Sequence, residues 1–122
     1  KSREVVMQIQ LIFEHQILYA ILDDSAAARS FHALLPLELP LVDYASTEKV
    51  SDLPKRLATQ DEPKGYKPSV GDITYYAPWG NLALFYKRFS YANGLIRLGE
   101  IIDNVEFLER TKSITVRIEA GQ

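Results

Sequence analysis

The sequence predicts a mainly β protein: a closed antiparallel β-barrel of about eight strands with one or two helices capping its ends. Three observations lead there. Short runs of apolar and polar alternation recur along nearly the whole chain, each bounded by Pro, Gly, Asn or Asp. One stretch alone has the composition of a secure helix. Seven or eight strands in a chain of 122 residues would expose long unpaired edges in an open sheet, and closure removes them.

The elements follow in order. "VVMQIQLIF" (Val5–Phe13) has period two, with Val5, Met7, Ile9, Leu11 and Phe13 on one face and Gln8 and Gln10 on the other. Glu14–Gln16 suits a short hairpin loop, and "ILYAIL" (Ile17–Leu22) returns as a second strand. Asp23-Asp24-Ser25 offers side-chain acceptors for an N-cap. The Ala-rich run Ser25–Leu35 then fits a helix with Ala27, Phe31 and Leu34 on one face, ended by Pro36. "LELPLVDY" (Leu37–Tyr44) reads as a strand, and Pro40 places it at an edge or a bulge. From Ser46 to Ser69 the apolar pattern weakens, and a long irregular stretch is expected, with a short helix near Thr47–Val50.

"GDITYYAPWGNLALFY" (Gly71–Tyr86) gives two strands, Asp72–Tyr76 and Leu82–Tyr86, joined by Ala77-Pro78-Trp79-Gly80. Pro second and Gly fourth suit a turn in which Gly80 has positive φ. Trp79 is expected at the hairpin end, packed flat over the barrel mouth and largely buried, because burial of so large a side chain gains ~1.5–3 kcal/mol. Lys87–Gly94 reads as a loop, Leu95–Ile101 as a strand, and Val105–Arg110 as at most a short helix. "SITVRIE" (Ser113–Glu119) alternates clearly. The first and last strands share one binary pattern and are expected to pair, with Val5, Met7, Ile9 and Leu11 facing inward beside Ile114, Val116 and Ile118.

Composition bounds the function. The chain is 47% apolar and 25% charged, an ordinary globular balance that makes one domain over residues 1–122. Its net charge of −2 comes without a basic block, so no nucleic-acid partner is expected. No run approaches the roughly 18 apolar residues of a membrane span, so no membrane partner is expected either. Cysteine is absent, which removes disulfides and thiol chemistry and accords with a reducing, cytoplasmic setting. The N-terminal segment alternates and lacks the apolar block of a signal peptide; a start at Lys leaves a trimmed N-terminus open.

Side chains for covalent or metal chemistry are scarce. His15 falls in a hairpin loop and His32 in the helix, with no third ligand nearby, so no metal site is expected. No Ser stands in a nucleophile-elbow context, and no Gly-rich phosphate loop occurs. The adjacent carboxylates Asp23-Asp24 and Asp61-Glu62 suit a cap and a solvated loop. No catalytic residue and no cofactor are assigned. What remains is an aromatic and basic constellation: Tyr75, Tyr76, Trp79, Phe85, Tyr86, Phe89 and Tyr91, with Lys87, Arg88 and Arg97 nearby. Aromatics with a polar end line pockets that are apolar on one side and wet on the other. They also fill cores.

"GDITYYAPWGNLALFY", then "YANGLIRLGEI", with "DDSAAARSFHALLP" as first helix, resembles the bacterial cyclophilin-like fold proteins. The resemblance covers nearly the whole chain, and its specific parts are the hairpin and "RLGEI". It implies a closed, mostly antiparallel barrel of about eight strands with a helix at one end. The resemblance to true cyclophilins is confined to Phe31 and Leu34, which echo their first helix. Their catalytic "FHR" strand and "F-x-x-QGG" segment are missing, and Phe31-His32-Ala33 is helical. Three functions are therefore weighed. The first is a binding module without isomerase activity, its groove for a small molecule or extended peptide bordered by Tyr76, Trp79, Phe89, Tyr91 and Arg97. The second is a passive structural or oligomerising domain. The third is a prolyl isomerase using Arg56, Arg88 or Arg97 in a non-standard place. Fold alone does not choose among them.

Overall fold

A computed structural model describes residues 7–121. Eight strands close into an antiparallel barrel: β1 (Met7–Ile12), β2 (Ile17–Leu22), β3 (Leu37–Tyr44), β4 (Glu48–Asp52), β6 (Asp72–Tyr76), β7 (Asn81–Phe85), β9 (Leu95–Ile101) and β10 (Ser113–Ala120). Around the barrel the order is β1-β10-β3-β4-β7-β6-β9-β2. The short strands β5 (Gly65–Tyr66) and β8 (Ala92–Asn93) form a separate two-stranded ribbon. Two helices complete the fold, α1 (Ala26–His32) and α2 (Glu106–Arg110).

The period-two patterns sort side chains as expected. Ile9 and Leu11 of β1, Leu18, Ala20 and Leu22 of β2, and Val116 and Ile118 of β10 are buried in the core, with Met7 and Ile114 half-buried against it. Val5 lies outside the described residues. Strand β1 pairs with β10 through Ile9↔Ala120 to Ile12↔Arg117, which closes the barrel between the first and last strands. Pro40 sits where β3 is paired with β10 alone, because the β3–β4 ladder spans only Val42–Tyr44. The Asp43 N–H donates to the Lys112 carbonyl, so position 40, of opposite parity, turns its nitrogen away from β10 to the unpaired side, and the missing N–H interrupts no ladder.

Ser25 caps α1, its hydroxyl accepting from the Ala28 N–H at 3.1 Å. The helix stops at His32 rather than Leu35. Leu34 and Leu35 donate three residues back, to Phe31 and His32, a tightening consistent with the aversion of the residue before Pro36 to α geometry. Ala27, Ala28 and Phe31 are fully buried.

The expected short helix near Thr47–Val50 is instead strand β4. It pairs on one side with β3 and on the other with β7. Its turn is Tyr44-Ala45-Ser46-Thr47, with φ of 55° at Ala45 and 56° at Ser46, and the Thr47 N–H donating to the Tyr44 carbonyl at 3.1 Å. That is type I′ hairpin geometry built without Asn or Gly. The irregular stretch is accordingly shorter than expected. Within it Leu57 is buried, its N–H donating to the Tyr75 hydroxyl at 3.2 Å, and the Ala58 N–H donates to Ser30 Oγ of α1.

Trp79 stands at the tip of the β6–β7 hairpin, and Gly80 has φ of 69°. The indole, however, is 59% exposed and does not cover the barrel. The space beneath the turn is already taken: Arg56 donates to the Ala77 carbonyl at 2.6 Å, and Leu53, Leu57 and Tyr75 pack in the core. The ring turns to the outside of the barrel instead.

Candidate functional site

Strand β7 is buried along its whole length. Leu82 and Leu84 belong to the barrel core, while Ala83 and Phe85 join Leu95 in a second, smaller apolar cluster. Alternation places that second set on the outer face of the barrel. The registers extend it: Glu48 lies opposite Phe85, Val50 opposite Ala83, Tyr44 opposite Glu48, and Tyr76 opposite both Asn81 and Leu95. Residues directly opposite share a face. Ala92 of the β5–β8 ribbon and Phe89 from the preceding loop complete a groove of about 230 Å³ over this face.

Trp79 and two tyrosines form one end of the groove. Tyr76 and Trp79 have ring centroids 5.3 Å apart at 82°, and Tyr44 and Trp79 lie 6.0 Å apart at 86°. These edge-to-face contacts fix the exposed indole.

Two polar side chains lie within this apolar wall. Glu48 is 9% exposed, and its Oε2 accepts from the Thr47 hydroxyl at 3.3 Å. Burial pushes its carboxyl up to about 7; the charge of Asp43 adds to the rise and the Thr47 hydrogen bond opposes it. Among the described residues no cation pairs with it. The neighbouring Lys49 turns to the opposite face, where its fully buried ammonium donates to Asp43 Oδ1 at 3.0 Å and to the Thr111 carbonyl. Asn81 is 7% exposed, and its Oδ1 has no hydrogen-bond partner among the described residues. A buried acceptor left unfilled costs ~1–3 kcal/mol.

Of the residues singled out in the sequence, Tyr76, Trp79 and Phe89 meet on this groove. Tyr91 and Arg97 do not line it. Tyr91 lies against Gly65 of the ribbon so closely that a Cβ there would fall 2.6 Å from its hydroxyl oxygen. Arg97 lies beyond Leu95 in a separate pocket with Asp23, Ser25 and Tyr66. Its guanidinium pairs with Asp23 at 3.0 Å, Asp72 at 3.2 Å and Glu100 at 2.9 Å. Burial works against its charge, but the Tyr66 hydroxyl, Asp23 and Glu100 outweigh it and leave the group raised. Arg56 is tied to the Ala77 carbonyl, and Arg88 is exposed after β7. Sequence reasoning missed Glu48, Asn81 and Tyr44. Asn81 reads as a turn residue, and Glu48 lay in the segment expected to be irregular.

The closed eight-strand order defines the fold class of the molecule. The sequence profile of the Cyclophilin-like family matches residues 11–119, and the chain belongs to that family. Its structure is similar to the solution structure of a hypothetical protein from Archaeoglobus fulgidus, with a TM-score of 0.72 and 18% identity over 98% of each chain. At that identity the likeness concerns the fold. No curated protein matches the sequence. Among the described residues no helix is long and apolar enough to cross a membrane, and no group of three or more His, Cys, Asp or Glu is placed to hold a metal ion.

Proposed function

We propose that this protein is a binding module, without prolyl isomerase activity, whose site is the outer-face groove beside Trp79. The observation that carries this reading is the pairing of an apolar, aromatic-walled groove with two buried polar side chains, one of them an acceptor with no partner. Ligand sites combine these features. A wall that served packing alone would gain by replacing Glu48 and Asn81 with apolar residues. The groove of about 230 Å³ falls below the roughly 300–1,000 Å³ of drug-sized sites, which favours a small molecule over an extended peptide. The cysteine-free composition supports placing the module in the cytoplasm.

The test is a small-molecule screen followed by amide chemical shifts. Binders should move the resonances of Val50, Trp79 and Ala83, and Ala92→Phe, which fills the groove from the ribbon side, should abolish their binding. Binders that leave these resonances unmoved, or that are indifferent to Ala92→Phe, would place the site elsewhere.

A further inference from the structure

We infer that the groove takes a compact organic ammonium ion that keeps at least one N–H, boxed by Tyr44, Tyr76 and Trp79 and donating to Asn81, with the Glu48 carboxyl four positions along the ladder acting on its charge through space. This rests on the groove being the binding site, and it names the chemistry of the occupant.

Charge is the first argument. The groove is lined by one carboxyl group and by no Lys, Arg or His. The nearest lysine in sequence, Lys49, is held on the other face by Asp43. Once ionised, the Glu48 carboxyl is the one formal charge of the wall, and the aromatic π-faces add negative potential, so the net field of the groove favours a cation over an anion. Shape is the second. Trp79 stands nearly perpendicular to both tyrosines, at 82° and 86°, and perpendicular rings make the corners of a box around a compact cation. The unfilled acceptor is the third. Asn81 lines the groove, and its Oδ1 is buried and without a partner among the described residues, so an occupant that reaches this oxygen gains by donating to it. A quaternary ammonium has no N–H to give, whereas a primary, secondary or tertiary one does.

A cation in the groove favours the charged form of Glu48. The titratable groups around that carboxyl are Asp43 and Tyr44 on β3, Lys49 on β4, Tyr76 on β6 and Tyr86 after β7. Asp43 is held below the ordinary carboxylate range, burial notwithstanding, by the Tyr86 hydroxyl and Lys49. Glu48 is then the group that changes charge near neutrality, at about 7, and cation binding there expels its proton.

The test uses four probes of one shape on the intact protein: trimethylammonium, tetramethylammonium, tert-butanol and pivalate. Trp79 is the sole tryptophan, and its emission reports binding. Calorimetry in two buffers of different ionisation enthalpy counts protons. Trimethylammonium should bind roughly 10-fold more tightly than tert-butanol, as expected for a desolvated cation–π contact, and pivalate should not bind. Affinity for trimethylammonium should rise as pH passes the Glu48 midpoint, with proton release. Glu48→Gln should remove that pH dependence, and Asn81→Leu should erase the preference for trimethylammonium over tetramethylammonium. If tert-butanol or pivalate binds as well or better, or if binding takes up protons, the inference is overturned while the groove remains a site. If no probe alters Trp79 emission or groove resonances, the groove reading falls with it.

Discussion

Replacing Glu48 by Gln should stabilise the protein above neutral pH by up to ~3 kcal/mol. The carboxyl is raised from its ordinary 4.5 to about 7 by burial, and each tenfold fall in acidity corresponds to about 1.4 kcal/mol between the protonated and ionised forms. Between those pH values the folded chain holds a proton that the unfolded chain has released. Stability from this group is therefore fully present below pH 4.5 and is lost progressively as pH rises to about 7, after which the loss is constant. Gln has the same shape, can still accept from the Thr47 hydroxyl, and does not ionise. Urea denaturation of both proteins across this range gives the difference, in which the contributions of distant groups cancel. The gap should open near the unfolded midpoint and reach a plateau just above neutrality. A variant that is no more stable than the parent above that plateau would refute the claim that Glu48 is ionised at a cost. A carboxyl retained at that cost is what a site for a charged partner requires.

Three further outcomes are expected. Phe31→Ala should cost ~3–5 kcal/mol, since Phe31 is fully buried on the inner side of α1. His32→Ala should cost far less, and a comparable loss in thermal denaturation would show that the helix packs differently. Removing the residues after Lys112 deletes β10, which pairs with both β1 and β3, and should abolish the cooperative transition; a truncated chain melting near the parent temperature would contradict closure. A proline-peptide exchange assay at high protein concentration should show no rate enhancement, because Arg97 is engaged by three carboxylates and Arg56 by the Ala77 carbonyl. Enhancement abolished by Arg56→Ala, Arg88→Ala or Arg97→Ala would overturn this and name the donor.

Most of the barrel was legible in the chain because period two is a local property. Ile9 and Leu11, or Val116 and Ile118, announce an inward face without reference to any other strand. Strand β4 was not legible. Its buried positions include Glu48, Lys49 and Ser51, and its hairpin turns on Ala45-Ser46, which carry neither the apolar pattern nor the usual turn residues. Lys49 is tolerated inside only because Asp43 and the carbonyl of Thr111, far along the chain, come to meet it.

The site divides in the same way. The sequence by itself determined the alternating strands and an aromatic concentration around Trp79, since both follow from neighbours along the chain, whereas closure rests on pairing between its two ends. Tertiary structure decided on which side of the barrel Trp79 lies, because Arg56 from a distant segment occupies the underside of the turn, donating to the Ala77 carbonyl and packing beside Gly80. It also separated Arg97 from the aromatics by giving it Asp23 and Asp72 as partners. Only closure of β3, β4 and β7 into one surface brought Glu48 and Asn81 beneath the rings. Cross-strand register, and not sequence distance, sets which side chains share a face, and desolvation gives a carboxyl its properties only once those strands have met.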